Sequence, residues 1–232
     1  MPEDAGRATP EVERLREELR LRDAFLLALA HDLRSSIAAI AGASGTLRGS
    51  VAGGGITDDL LDVVDHAIAA IQVVIANLFD VERLRHGSIE VVHQPTDLAD
   101  LLRRSVDDAG LSERVITEVE PATADLDAGL TERILWNLLT NAVFHAPADT
   151  PVTLCASCVD GQVLIHVEDA GPGIPPSMRE DLFEPFIRGP GDGTGTGVGL
   201  FLVRQFARVQ GGDAWIDERP GGGTAVHVRL PC

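Results

Sequence analysis

VLIHVEDAGPGIP at residues 163–175 and GTGTGVGLFLV at residues 193–203 are the two stretches whose reading decides the fold. The first is an apolar run that ends on Asp169 and breaks at once into Gly-Pro-Gly, the pattern of a strand running into a tight turn. In the second, Gly193, Gly195, Gly197 and Gly199 alternate with other residues and lead into an apolar helix. Working outward, β-branched runs predict strands at Ile89–His93, Val115–Val119, Val152–Ser157, Val163–Glu168, Ala214–Glu218 and Thr224–Leu230. Helical spacing predicts helices at Leu98–Ala109, Leu130–His145 and Val198–Gln210. Together these elements specify an α+β sandwich, with helices on one face of a largely antiparallel sheet.

The N-terminal part has a different texture. Leucine or isoleucine recurs at positions 15, 19, 26, 29, 33, 37, 40 and 47 with no proline from Glu11 to about Arg48, which predicts one long amphipathic helix. Glycine-rich residues 49–55 interrupt it, and Thr57 suits an N-cap. A second helix then carries Leu60, Val64, Ala67, Ile71, Val74, Leu78 and Val81 on one stripe and ends near Gly87. Two helices cannot enclose a core alone, so a second copy should cover their stripes, giving a dimerising hairpin and a four-helix bundle. The chain divides into residues 1–24, a coiled-coil linker, 25–87, the hairpin, and 88–232, the mixed domain.

Composition excludes several function classes. A net charge of -17 repels phosphate backbones and anionic membrane surfaces, which argues against nucleic acid as a partner. Any anion must therefore be held by local geometry. No apolar run approaches the roughly 18 to 20 residues that span a bilayer, and the first ten residues lack the basic-then-apolar order of a signal peptide, so a cytoplasmic chain is expected. The 3 cysteines are too few for a disulfide framework. Cys155 and Cys158 should point to opposite faces of their strand, and reduced thiols are expected.

Candidate chemistry sits at a few positions. His31 lies opposite the apolar stripe of its helix, beside Asp32, with Ser35 a turn further on. Its neutral imidazole is a nucleophile near pH 7, and a neighbouring carboxylate can orient it or take its proton. Asp169 offers a carboxylate acceptor at a strand end, where Gly171 and Gly173 let the backbone approach a flat ligand. The glycines before the last helix leave amides and the positive helix end free for phosphate oxygens. Asn137 and Asn141 share a helical face, from which an amide oxygen could ligate Mg²⁺.

Five segments stand in order: FLLALAHDLRSSI at 25–37, NLLTNAVFH at 137–145, DAGPGIP at 169–175, LFEPFIRG at 182–189 and GTGTGVGLFLV at 193–203. They resemble the H, N, G1, F and G2 boxes of the sensor histidine kinases of two-component systems, over about residues 20–232. HDLRSSIAAIAGAS at 31–44 is also similar to the H-box of potassium-responsive sensor kinases. The resemblance implies an ATP-binding domain of the GHKL (Bergerat) type at 88–232 and a dimerisation and phosphotransfer domain at 25–87. It implies ATP and Mg²⁺ as cofactors, a response regulator receiver domain as partner, and a sensor domain or upstream sensor protein as input. Carried over by position, His31 is the phosphoacceptor, Asp32 its acid/base helper, and Ser35 takes part in phosphatase activity. Asn141 ligates Mg²⁺ with Asn137 nearby, Asp169 bonds the adenine amino group, and Gly171 and Gly173 shape the adenine pocket. Gly195, Gly197 and Gly199 flank a lid over the phosphates, and Arg188 matches a position that reaches the γ-phosphate. Two residues depart from the pattern: Ser36 replaces a proline, and Phe144 replaces a basic residue. A degenerate kinase serving as a dimeric nucleotide-binding scaffold, or a GHKL ATPase without histidine transfer, are the alternatives these residues leave open.

Overall fold

The computed structural model describes residues 37, 38, 40, 42, 58–189 and 196–232. Of the first predicted helix only Ile37, Ala38, Ile40 and Gly42 are described, all helical; its remainder lies outside the described residues. The second predicted helix is α1, Asp58–Arg85. No helix among the described residues is long and apolar enough to cross a membrane.

Residues from Asn77 onward, Thr196 aside, form one compact unit. After the last turns of α1 it contains β1 (Gln94–Asp97), α2 (Leu98–Asp108), β2 (Val115–Val119), β3 (Thr123–Leu126) and α3 (Ala128–His145). There follow β4 (Val152–Val159), β5 (Gln162–Asp169), two short 3-10 turns at Pro176–Met178 and Asp181–Phe183, α4 (Gly199–Val209), β6 (Asp213–Glu218) and β7 (Thr224–Pro231). The main sheet has the order β2-β4-β5-β7-β6; only the β2–β4 pair is parallel. Asp160 and Gly161, both at positive φ, form the two-residue turn between β4 and β5, the geometry that matches strand twist in a hairpin.

Period-two alternation decides which face is covered. Val152, Leu154 and Ala156 of β4, with Val163, Ile165 and Val167 of β5, are buried beneath the helices. Leu98, Leu101 and Leu102 of α2, Ile134, Leu135 and Leu138 of α3, and Leu202, Val203 and Phe206 of α4 supply the opposing layer. Each of these Val, Leu, Ile and Phe side chains contributes about 1.5–3 kcal/mol through removal from water.

One predicted strand is corrected. Ile89–His93 is irregular chain, because the Val92 N–H is taken by the Asp127 carboxylate at 2.8 Å and not by a neighbouring strand. Pairing begins at Gln94, where β1 runs antiparallel to β3, a strand the sequence pattern did not show. Asp127 also caps α3, its other carboxylate oxygen accepting from Leu130 N–H at 2.9 Å, and its own N–H donates to Gln210 Oε1 at 3.3 Å. A single buried aspartate thus fixes the incoming loop, the start of α3 and the end of α4.

The open face of the sheet carries polar side chains in register: Glu118, Cys155, His166, His227 and Trp215 form one row across five strands. The His227 ring stacks on Trp215 at 5.1 Å and lies 5.3 Å from His166. Burial, with His166 adding to it, lowers the His227 pKa; Asp217 and Glu168 oppose the shift. An unfolded histidine takes up a proton near pH 6.5, whereas folded His227 does so only at lower pH. The unfolded state thus binds more protons in that interval, and stability falls as the pH drops below about 6.5. Melting curves between pH 7 and pH 5 should show a shallower decline for His227→Gln than for wild type; identical slopes would contradict this contribution.

Candidate functional site

Asp169 is the last residue of β5 and continues the inward series Val163, Ile165, Val167, which places a carboxylate where the alternation calls for an apolar side chain. It is 6% exposed. Its Oδ1 accepts from Gly171 N–H at 2.7 Å, and Thr224 N–H from β7 also bonds the carboxylate. Burial raises its pKa; these two bonds, His145 and Arg219 oppose that rise. A carboxylate oxygen in such a position is a strong acceptor for an N–H donor that enters dry.

The surrounding glycines let the backbone pass closer to the strand end than a residue with a Cβ could. A Cβ on Gly171 would stand 2.6 Å from Asp169 Oδ1 and 2.9 Å from the His145 carbonyl oxygen. Gly173, at φ +74, faces the Gly223 carbonyl oxygen, which a Cβ would approach to 3.3 Å. Gly223 itself packs so closely on the Asp169 carbonyl that a Cβ would overlap it. The result is a backbone-walled cleft with one buried acceptor.

α3 and α4 form the neighbouring wall. Asn137 is buried, and its amide donates to Arg133 O at 2.9 Å, which turns Oδ1 towards Gly199. Asn141, one turn on, is half-buried. α4 begins at Gly199 with Val198 at the N-cap position, which supplies no side-chain cap to the first amides of the helix. Just ahead of it, Gly197 at φ +67 leaves no room for a Cβ against Phe186 and Ile187, and its carbonyl accepts from Phe186 N–H at 2.9 Å. Phe186 itself adopts φ +72, a strained conformation for an aromatic residue. The 3-10 turn ahead of Phe186 is clamped to α4: Arg204 lies 4.8 Å above the buried Phe183 ring and pairs with Asp213 at 2.9 Å.

The structure therefore brings Asn137, Asn141, Asp169, Gly171, Gly173, Gly197 and Gly199 around one end of the sheet. Arg188 follows Phe186 on the same loop and is half-buried. His31, Asp32, Ser35, Ser36 and Gly195 lie outside the described residues. Phe144 is 59% exposed and meets His145 edge to face, so it is no core residue. The sequence reading missed Gly223 and Thr224. The signal was the run Gly221-Gly222-Gly223, all at positive φ, directly before β7. The arrangement offers one dry carboxylate acceptor at the end of β5 and, across from it, a helix start with no side-chain cap from Val198.

A family model described as histidine kinase-, DNA gyrase B- and HSP90-like ATPase matches residues 126–232. Sensor protein KdpD of Mycobacterium tuberculosis is 36% identical over 244 residues, covering 99% of this chain and 28% of that protein. Histidine protein kinase DivJ of Caulobacter vibrioides is 33% identical over 230 residues, covering 90% of this chain and 37% of that protein. A solved structure of the mycobacterial sensor histidine kinase MprB superposes with a TM-score of 0.54 at 30% identity, covering 60% of this chain and 97% of that one. The chain belongs to the sensor histidine kinases. It spans about a quarter of the length of the KdpD relatives it matches. The histidine kinase ATPase fold accordingly accounts for the α+β unit, and its matched region begins just before α3.

For this histidine kinase, Gly171→Ala should push the Asp169 carboxylate off its Gly171 bond while leaving the buried apolar layer intact. Calorimetry should show ATP affinity reduced at least about fivefold, the lower end of the 1–3 kcal/mol scale of forced displacement, with an unchanged circular dichroism spectrum. Unchanged affinity would show that the cleft is not used.

Proposed function

We propose that the chain is the catalytic core of a KdpD-like sensor histidine kinase that moves the γ-phosphate of ATP to His31 and from there to an aspartate of a response regulator. The observation that carries the nucleotide part is the Asp169 carboxylate, buried at the inward end of β5 where the residues before it in the series are apolar, and held by the Gly171 amide. The transfer part is supported by identity to KdpD extending over 99% of the chain, the H-box included. Agreement over nearly all of this chain, which matches 28% of that relative, favours a kinase over a scaffold or a simple ATPase.

In this reading Asp169 accepts from the adenine amino group between the backbone walls at Gly171 and Gly173. The uncapped amides of α4, with Gly195, Gly197 and Gly199, take phosphate oxygens, and Arg188 reaches the γ-phosphate. Asn141, with Asn137 beside it, holds Mg²⁺, which when bound offsets phosphate charge. Positioning and charge compensation supply most of the catalysis in phosphoryl transfer. A neutral nitrogen of His31 attacks phosphorus, the bond to the bridging oxygen of ADP breaks, and Asp32 orients the ring and takes its proton. Ser35 serves the reverse, phosphatase direction on the regulator. Residues 25–87 act as the dimerisation and phosphotransfer domain and 88–232 as the catalytic domain, with 1–24 linking to a sensor. Ile68 and Ile75, seven apart and beside the predicted stripe of α1 rather than on it, are 43% and 45% exposed in the single chain, while Val74 of the stripe is buried; a second copy in a homodimer would cover the exposed flank. The absence of a spanning helix among the described residues is compatible with a cytoplasmic location.

Radiolabelled ATP tests the reading. Wild type should acquire an acid-labile label, and His31→Gln should acquire none while still binding ATP. Asp169→Asn should lose at least about nine-tenths of the labelling rate, since an amide no longer offers the same acceptor, yet still receive phosphate on His31 from a phosphorylated regulator. Substantial label on His31→Gln would overturn the assignment.

A further inference from the structure

A second pair of reactive groups lies away from the cleft. Cys158 stands near the end of β4, and Cys232 follows β7; their sulfurs are 3.2 Å apart and both thiols are free. The two residues are 74 apart in sequence, so the sheet alone brings them together. β5 pairs with both flanking strands here, Val163 with Cys158 and Gln162 with Pro231, and Cys232 N–H donates to Gly161 O at 3.0 Å, which holds the residue against the β4–β5 turn. Cys232 is exposed and Cys158 partly so, which lets a small oxidant reach the pair. Cys155 does not compete. Three residues away on the same strand, it points to the other face, with Glu118 as its neighbour at 3.9 Å.

The geometry points to a redox modification site: Cys158 and Cys232 form a reversible disulfide that clasps the turn end of the sheet. The sulfurs must close by roughly 1 Å to the bonded length of about 2.05 Å, and because β4 and β7 stand about 10 Å apart across β5, Cys232, which lies beyond the end of β7, must also swing its backbone towards β4. The oxidant is a low-molecular-weight disulfide. The Cys232 thiolate attacks one of its sulfurs and expels one small thiolate; the Cys158 thiolate then attacks the Cys232 sulfur of the mixed disulfide and expels the second. The protein gives up two electrons and two protons, and the small disulfide is reduced to two thiols. The clasp lies at the opposite end of β5 from Asp169, about 23 Å away at strand rise, so it stabilises the sheet without entering the nucleotide cleft. Burial and the Cys158 contact push the Cys232 thiol up to about 11, which keeps thiolate scarce and the exchange slow.

The test is overnight equilibration of the whole chain in glutathione buffers of increasing disulfide content, followed by alkylation under denaturing conditions and peptide mass mapping. Expected are a fall from 3 alkylatable thiols to one, Cys155, a cross-linked peptide joining Cys158 to Cys232, and a melting temperature raised by several degrees. Cys155→Ser should retain the cross-link, and Cys158→Ser should lose both the cross-link and the thermal shift. Three alkylatable thiols at every ratio, a Cys155–Cys158 link, or Cys232 trapped as its glutathione adduct would each overturn the proposal.

Discussion

The structure around the cleft depends on keeping one carboxylate dry. Asp169 occupies an inward position of β5, where the residues before it in the same series are valine and isoleucine. A charge there is costly unless hydrogen bonds compensate it. The Gly171 and Thr224 amides supply that compensation, and both come from backbone that must pass very close to the strand end. Glycine at 171, 173 and 223 follows from this requirement, since a Cβ at any of them would meet backbone or the carboxylate itself.

The same logic extends along the chain. Asp127 is a second buried carboxylate, but all its capacity goes to structure: it caps α3, holds the loop at Val92, and its backbone is tied to Gln210. α3 and α4 are thereby fixed on the covered face of the sheet, so that Asn137 faces Gly199. The Phe183–Arg204–Asp213 clamp sets the loop between them, and Phe186 is held in its strained conformation by the bond to Gly197. The site is thus assembled from backbone constraints more than from charged side chains, in keeping with a chain whose net charge of -17 offers little positive potential to an anion.

Much of this was legible in the sequence because its signals are local. Alternation gave β4, β5, β6 and β7 to within a residue or two, and the inward position of Asp169 follows from counting along β5. Helical periodicity gave α1, although the Thr57 cap lies outside the described residues. What escaped were features defined by partners far away. β1 is the polar run Gln94-Pro95-Thr96-Asp97, a strand only because β3 pairs with it. The loop at 89–93 has the β-branched composition of a strand, yet the Asp127 side chain claims its amide. Gly223 carries no local signal of its role beside Asp169, because that contact exists only once β5 and β7 are in register.

In the proposed function the Asp169 carboxylate reads an exocyclic amino group. Calorimetric titration of the intact chain with ATP and with inosine triphosphate isolates that group, since the phosphates are the same and the 6-amino donor is replaced by a carbonyl oxygen. An acceptor facing an acceptor loses its hydrogen bond and leaves the carboxylate unpaired, so ATP should bind at least about tenfold more tightly. Equal affinities for the two nucleotides would contradict the assignment.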